Sequence, residues 1–250
     1  MSKSQKLSST AQSRLQAFQA KQDLEAQKAG RRTRDNRFSL IVAAGAIVVA
    51  ILAQLVYFSF GPGSIDPAAE QPENSELVPA IDIAEGRTWQ GSMEINGEAI
   101  ELELDGDKAP QAVANFISLA KDGYFDGLSC HRLTTAGIYV LQCGDPNGDG
   151  TGGPGYSFGP IENAPADDMY LRGYLAMARQ GGDGASMGSQ FFIVYEDSMI
   201  PSDAAGGYTV FGRITKGLKK LAPIIEAGVA GGASDGAPAL EAKLGAIELR

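Results

Sequence analysis

Four residues carry the chemistry this chain offers: Arg132, Gln142, Gln190 and Phe192, in that order, with glycine-rich loops between them. An arginine supplies five N–H donors and no acceptor, and a glutamine amide supplies both. Such a set grips a peptide backbone beside an apolar floor; it does not move protons. His131 is the only histidine and lies inside the pattern. It has no second histidine or thiol pair at ligand spacing, so zinc is not expected. A serine or cysteine nucleophile would need a base, and His131 is the only histidine available. Asp145-Pro146-Asn147-Gly148-Asp149-Gly150 imitates the start of a calcium loop, but Tyr156 stands where a bidentate glutamate is required. Gly150–Gly155 is glycine-rich, yet no Gly-Lys-Ser/Thr follows as in a phosphate loop. No metal and no cofactor are expected.

The elements that must position these residues are short. Thirty-two glycines among 250 residues favour turns and brief strands over long helices. Trp89, Met93 and Ile95 alternate with polar residues, as do Ile100, Leu102 and Leu104, and Asn96-Gly97 between them signals a type I′ hairpin. Pro110 opens a helix with Val113, Phe116, Ile117 and Ala120 on one face, and Asp122-Gly123 ends it. Strands are expected at Ser129–Leu133, Tyr139–Gln142, Leu175–Ala178, Phe191–Val194, Tyr208–Phe211 and Lys243–Leu249. A second helix is expected from Thr215 as N-cap to Ala227, with Pro223 as a local violation inside it. Many short strands and few helices point to a closed antiparallel barrel with helices at its ends.

The rest of the chain is of another kind. Residues 38–60 carry no charge and are long enough to cross a bilayer core of about 20 apolar residues. Arg31, Arg32, Arg34 and Arg37 precede them; Asp66, Glu70, Glu73 and Glu76 follow. The positive-inside rule then places the basic tail of residues 1–37 in the cytosol and everything after residue 60 outside. A cleaved signal peptide fits less well, because its apolar core would run about 7–15 residues. Residues 61–82, with Pro62, Pro67, Pro72 and Pro79 among acids, read as an extended linker to a globular domain over 83–250. Residues 61–250 hold twelve Lys/Arg against twenty-seven acids, which argues against nucleic acid as a partner.

Taken together, the globular residues resemble a cyclophilin-type peptidyl-prolyl cis-trans isomerase from about Thr88 onward. The likeness is carried by Ala109-Pro110 through Asn115-Phe116, Gly123-Tyr124-Phe125-Asp126-Gly127, His131-Arg132, Gln142 with Gly144-Asp145, Gly152–Tyr156, Met177-Ala178, Gly188–Phe192 and Val210-Phe211-Gly212. The resemblance implies an eight-stranded antiparallel barrel capped by two α-helices. It implies proline-containing polypeptide segments as substrate, with Arg132 donating to the prolyl nitrogen of a twisted amide. Phe192 matches the floor of the proline pocket, and Gln142 and Gln190 match groups that hold the peptide or orient the arginine. Ala178 lines the groove, with Arg179 where an asparagine is common. The Arg132–Gln142 spacing is longer by two residues than in familiar eukaryotic members, which aligns Tyr139 and Val140 with the pocket wall.

Two departures follow from the same alignment. Met199-Ile200 replaces a common Trp-Leu, which removes an indole donor and implies weak cyclosporin binding. Tyr208 replaces a pocket histidine and keeps an aromatic wall. The rival to an isomerase is a cyclophilin-like module that grips proline segments as a chaperone or scaffold with little turnover. Cys130 and Cys143 either bridge or are two small buried thiols. A four-residue turn at Thr135–Ile138 would set Cys130 opposite Cys143, but it would also send Arg132 and Gln142 to opposite faces unless a β-bulge intervenes.

Overall fold

The computed structural model describes residues 74–250, together with eight helical positions before them (18, 21, 28, 45, 47, 49, 50 and 54). Among the described residues no helix is long and apolar enough to cross a membrane. The expected span at 38–60 and the basic tail lie, apart from those positions, outside the described residues.

The hairpin forms as its pattern requires. β1 (Thr88–Ile95) pairs antiparallel with β2 (Glu98–Asp105), and Asn96 and Gly97 turn between them at φ +54° and +77°. A type I′ turn needs both residues left-handed, which asparagine and glycine tolerate best. α1 (Pro110–Lys121) follows, with Pro110 in its first turn and Phe116 buried at its centre. The Phe116 ring centroid lies 5.0, 5.4 and 5.1 Å from those of Phe125, Phe191 and Phe211, so one helix residue ties the core together.

Among the described residues the remaining strands are β3 (Arg132–Thr134), β4 (Val140–Cys143), β5 (Met169–Tyr170), β6 (Tyr174–Met177), β7 (Phe191–Val194), β8 (Ser198–Met199), β9 (Val210–Lys216), β10 (Asp235–Gly236) and β11 (Leu244–Leu249). Nine of the strands form one sheet in the order β10-β3-β4-β7-β6-β9-β2-β1-β11, while β5 and β8 form a separate ribbon. The closed eight-stranded barrel is thus replaced by a curled nine-stranded sheet. Its ends meet without a continuous ladder: Ser129 and Lys243 form an isolated bridge, and Cys130 N–H donates to Ala242 O at 2.7 Å.

The expected second helix is also different. β9 carries the chain through Thr215 to Lys216, so Thr215 is a strand residue and caps nothing. Gly217 turns at φ +89°, a 3₁₀ turn spans Leu218–Leu221, and α2 covers only Ala222–Ala227. Pro223 lies in the first turn of α2, where its missing N–H costs no hydrogen bond. It starts a helix instead of kinking one.

The last part of the expected linker is docked. Asn74 donates to Gly159 O at 2.9 Å and accepts from Gly159 N–H at 3.0 Å. Gln111 Nε2 donates to Pro79 O at 2.9 Å, and Val78 packs on the core.

Strand alternation divides the buried residues into two clusters. Leu133, Leu141, Cys143, Leu175, Met177, Phe191 and Ile193 face the core under α1. Val140, Ala176, Phe192 and Val194 face a smaller cluster on the other side of the sheet, with Tyr170, Ile200 and Val210. All four residues of β7 are buried because both its faces are covered.

Candidate active site

The outer face of β3, β4, β6 and β7 carries the site. Arg132 pairs directly with Gln142, and Gln142 with Phe192, so period-two alternation sets all three on one face. The β3–β4 connection is five residues, Thr135–Tyr139, closed at Val140 N–H by Thr134 Oγ1 at 3.0 Å. It is one residue longer than the expected turn. That register sets Arg132 opposite Gln142, while Cys130 and not His131 closes on Cys143, so His131 is an extra residue between the two pairs, as in a β-bulge. Cys130 and Cys143 are joined across the same strand pair, with Cα atoms 3.9 Å apart.

Arg132 is held on two sides. Nε and Nη2 donate to the two carboxylate oxygens of Asp235 at 2.8 and 2.7 Å, and Nη1 donates to Gln142 Oε1 at 3.3 Å. Hydrogen bonding from Arg132 holds the Asp235 carboxyl below its ordinary value. Gln142 Nε2 donates to Gln190 Oε1 at 2.8 Å, and Gln190 Nε2 donates to Gly150 O and Gly152 O at 3.0 and 2.9 Å. The amide orientations follow from chemistry: a guanidinium offers no acceptor, so it faces Oε1 of Gln142, and two carbonyls demand Nε2 of Gln190.

The loop that supplies those carbonyls is organised by Asp145, whose side chain is buried. It accepts from the N–H groups of Asn147, Asp149 and Gly152 at 2.9 Å each, and from that of Gly150. Burial raises this carboxyl, but the Asn147, Gly150 and Asp149 donors outweigh it and hold it below its ordinary value. Gly144, at φ +87°, passes so close to Ser189 O that a Cβ there would collide with it. His131 is half-buried beside this loop; its Nδ1 has no partner among the described residues, and burial lowers its pKa.

These side chains border two adjoining recesses. One, of about 170 Å³, is lined by Arg132, Ile138, Val140, Gln142, Ala178, Arg179, Phe192, Ile200 and Tyr208. The other, of about 270 Å³, is lined by Gly150–Pro154, Gln180, Ser186 and Gly188–Gln190 among others, and it shares Gln142, Ala178 and Arg179 with the first. Phe192 and Tyr208 meet edge to face, centroids 5.7 Å apart, so the first recess has an aromatic floor and wall.

Two residues that the alignment places at the site lie outside the recess. Tyr139 falls on the opposite face from Val140 and meets Tyr195 edge to face, ring centroids 5.9 Å apart; Ile138, two residues before Val140, takes the wall position. Met199 is 59% exposed on β8, opposite Met169, and only its neighbour Ile200 reaches the recess. Arg179 borders the recess, but its guanidinium is fully occupied. It donates to both Asp203 oxygens at 3.0 and 2.9 Å, to Gly207 O at 2.9 Å, to Gln180 O at 3.0 Å and to Gly206 O, and its carbon lies 4.7 Å from the Tyr208 ring centre. Hydrogen bonding from Arg179 holds the Asp203 carboxyl well below its ordinary value. Arg179 therefore fixes the wall that bears Tyr208. Asp235 and Asp203 escaped sequence reading because nothing local marks a carboxylate that pairs 103 or 24 residues away.

Comparison with known proteins agrees with this geometry. Residues 91–243 match the family model for cyclophilin type peptidyl-prolyl cis-trans isomerase/CLD. A probable peptidyl-prolyl cis-trans isomerase B of Mycobacterium tuberculosis is 48% identical over 170 residues, covering 63% of this chain and 53% of the relative. The chain thus spans about half the length of that relative. Peptidyl-prolyl cis-trans isomerase B of Bacillus subtilis is 44% identical over 124 residues, covering 50% of this chain and 81% of the relative. A cyclophilin-type isomerase of Cryptosporidium parvum, solved in the presence of the dipeptide Ala-Pro, superposes with a TM-score of 0.54 at 28% identity, over 64% of this chain and 98% of that one. On the family match and the shared fold, this chain belongs to the cyclophilin-type peptidyl-prolyl cis-trans isomerase family.

Proposed function

We propose that the chain accelerates cis–trans rotation about Xaa-Pro bonds in polypeptides, with Arg132, Gln142 and Phe192 as catalytic residues. An Xaa-Pro amide resists rotation by about 18–20 kcal/mol and exchanges in tens to hundreds of seconds unaided. Rotation takes no proton and forms no covalent bond. It needs a surface that fits the twisted amide better than either planar form. Twisting breaks conjugation and returns a lone pair to the prolyl nitrogen, which can then accept a hydrogen bond. Arg132 donates that bond in the twisted state alone, and each ~1.4 kcal/mol gained there is about tenfold in rate. The proline ring sits on Phe192 between Val140, Ile200 and Tyr208. Gln142, Gln190 and Ala178 hold the flanking backbone. The single observation that carries this reading is a doubly anchored guanidinium at the rim of an apolar recess floored by Phe192.

Residues 38–60 are read as a single membrane anchor, with the basic tail cytosolic and the isomerase domain facing exported polypeptides. The charge asymmetry supports this, as does a cysteine pair of a kind that persists in oxidising compartments. Cyclosporin binds weakly in this reading, since Met199 offers no indole donor and is turned to solvent. Exchange between the cis and trans resonances of an Ala-Pro peptide tests the function. Faster exchange with the full-length protein supports an isomerase; binding without faster exchange replaces it with a proline-gripping module.

A further inference from the structure

We infer that Asp235 is a positioning residue, which fixes the Arg132 guanidinium in the orientation that donates to the prolyl nitrogen. The inference rests on the isomerase reading and extends it to a residue outside the recess. β10 pairs with β3 on its free edge, Asp235 with Thr134 and Gly236 with Leu133. Asp235 is thereby a diagonal neighbour of Arg132 on the same face of the sheet, within reach of a long side chain. The segment is tied down independently of the ion pair: Thr135 N–H donates to Ser234 O at 2.8 Å, Ala230 N–H to Ala237 O at 2.8 Å, and Val229 bridges Pro238.

Donor bookkeeping shows what the contact does. Of the five guanidinium N–H groups, Asp235 takes two along the Nε–Nη2 edge and Gln142 takes one. One proton on Nη1 and one on Nη2 remain for substrate. Because the carboxylate accepts side-on at both oxygens, it sets the plane of the guanidinium and therefore the direction of those two protons. The arginine and aspartate side chains are 39% and 52% exposed, and exposed ion pairs add little to stability. A latch for β10 would be poorly served by such a pair; an orienting contact needs only geometry. A twisted amide carries no net charge, so pairing the arginine does not remove what the mechanism requires of it.

The test uses the full-length protein in detergent micelles, with a chromogenic Xaa-Pro tetrapeptide. Asp235→Asn should lower kcat by about tenfold, with KM changed less than about twofold and an unaltered melting temperature. Asp235→Glu should regain part of the loss. In an Arg132→Ala background, Asp235→Asn should have no further effect. A kcat for Asp235→Asn within about twofold of wild type, or an equal loss in the Arg132→Ala background, overturns the inference and leaves the isomerase reading standing. Full activity in Arg132→Ala overturns both. If Asp235→Asn fails to fold, the wild-type Arg132 Nε–H resonance decides: slow exchange with water is expected, and fast exchange overturns the inference.

Discussion

Gln142 stands directly across from Arg132 in the β3–β4 ladder, and its Oε1 accepts from Arg132 Nη1 at 3.3 Å. A register shifted by one residue would put the two on opposite faces of the sheet. The five-residue loop before Val140 is therefore as much part of the site as the side chains. Loss of a hydrogen bond to a charged group costs about 1.5–3 kcal/mol. Gln142→Ala should reduce kcat/KM at least about tenfold. Gln190→Ala, one bond further from Arg132, should reduce it by a smaller factor. Steady-state kinetics on one Xaa-Pro peptide checks the order; a larger loss for Gln190→Ala would reverse the direction of support.

Asp145 organises the loop whose carbonyls hold Gln190, and its carboxyl lies below the ordinary value because backbone donors outweigh burial. A depressed carboxyl contributes stability that is complete above its unfolded pKa and is lost as pH falls through the folded one. Melting temperature should therefore fall on acidification below about pH 4. Asp145→Asn should be less stable at neutral pH and fall less steeply, because one titrating group has gone. Parallel acid curves for the two proteins would show that Asp145 contributes nothing to the slope.

The Cys130–Cys143 bridge spans 13 residues and clamps the strand pair that carries Arg132 and Gln142. Closing a loop of that length in the unfolded chain is worth about 3 kcal/mol in the chain-entropy account. Non-reducing alkylation should label no cysteine. Reductant should lower the melting temperature of wild type and leave a Cys130→Ser/Cys143→Ser variant unmoved. Two labelled thiols in the native protein would contradict the bridge.

Glu162 caps α1 from 50 residues away: its carboxylate accepts from Gln111 N–H and Ala112 N–H at 3.0 Å each. Ala109, at the N-cap position, makes no side-chain bond of its own. Glu162→Ala should destabilise the domain by about 1 kcal/mol, measured by urea unfolding. An unchanged midpoint would mean water replaces the cap without loss.

Local chemistry made part of this molecule legible. Asn96-Gly97 and Pro110 announce a turn and a helix start through backbone preferences that no distant contact overrides. Alternation along Phe191–Val194 separates core from recess once both faces are known to be covered. What stayed hidden depends on distance in sequence. Tyr139 leaves the recess and Ile138 enters it because alternation along β4 sets Ile138, Val140 and Gln142 on one face. Thr215 looked like an N-cap, but pairing with β2 extended β9 through it. Arg179 follows the groove residue Ala178, and nothing near it in sequence names Asp203 as its partner. The curled sheet differs from a closed barrel at one seam, where an isolated bridge replaces a ladder that no local pattern predicts.

The central claim is that Arg132 lowers the barrier to prolyl rotation. Its most direct test is protease-coupled isomerisation of a short Xaa-Pro peptide by the wild-type chain and by Arg132→Ala. Rapid turnover by wild type and loss of at least about tenfold in kcat/KM by a folded Arg132→Ala variant is the predicted result. Equal rates for the two proteins would contradict it.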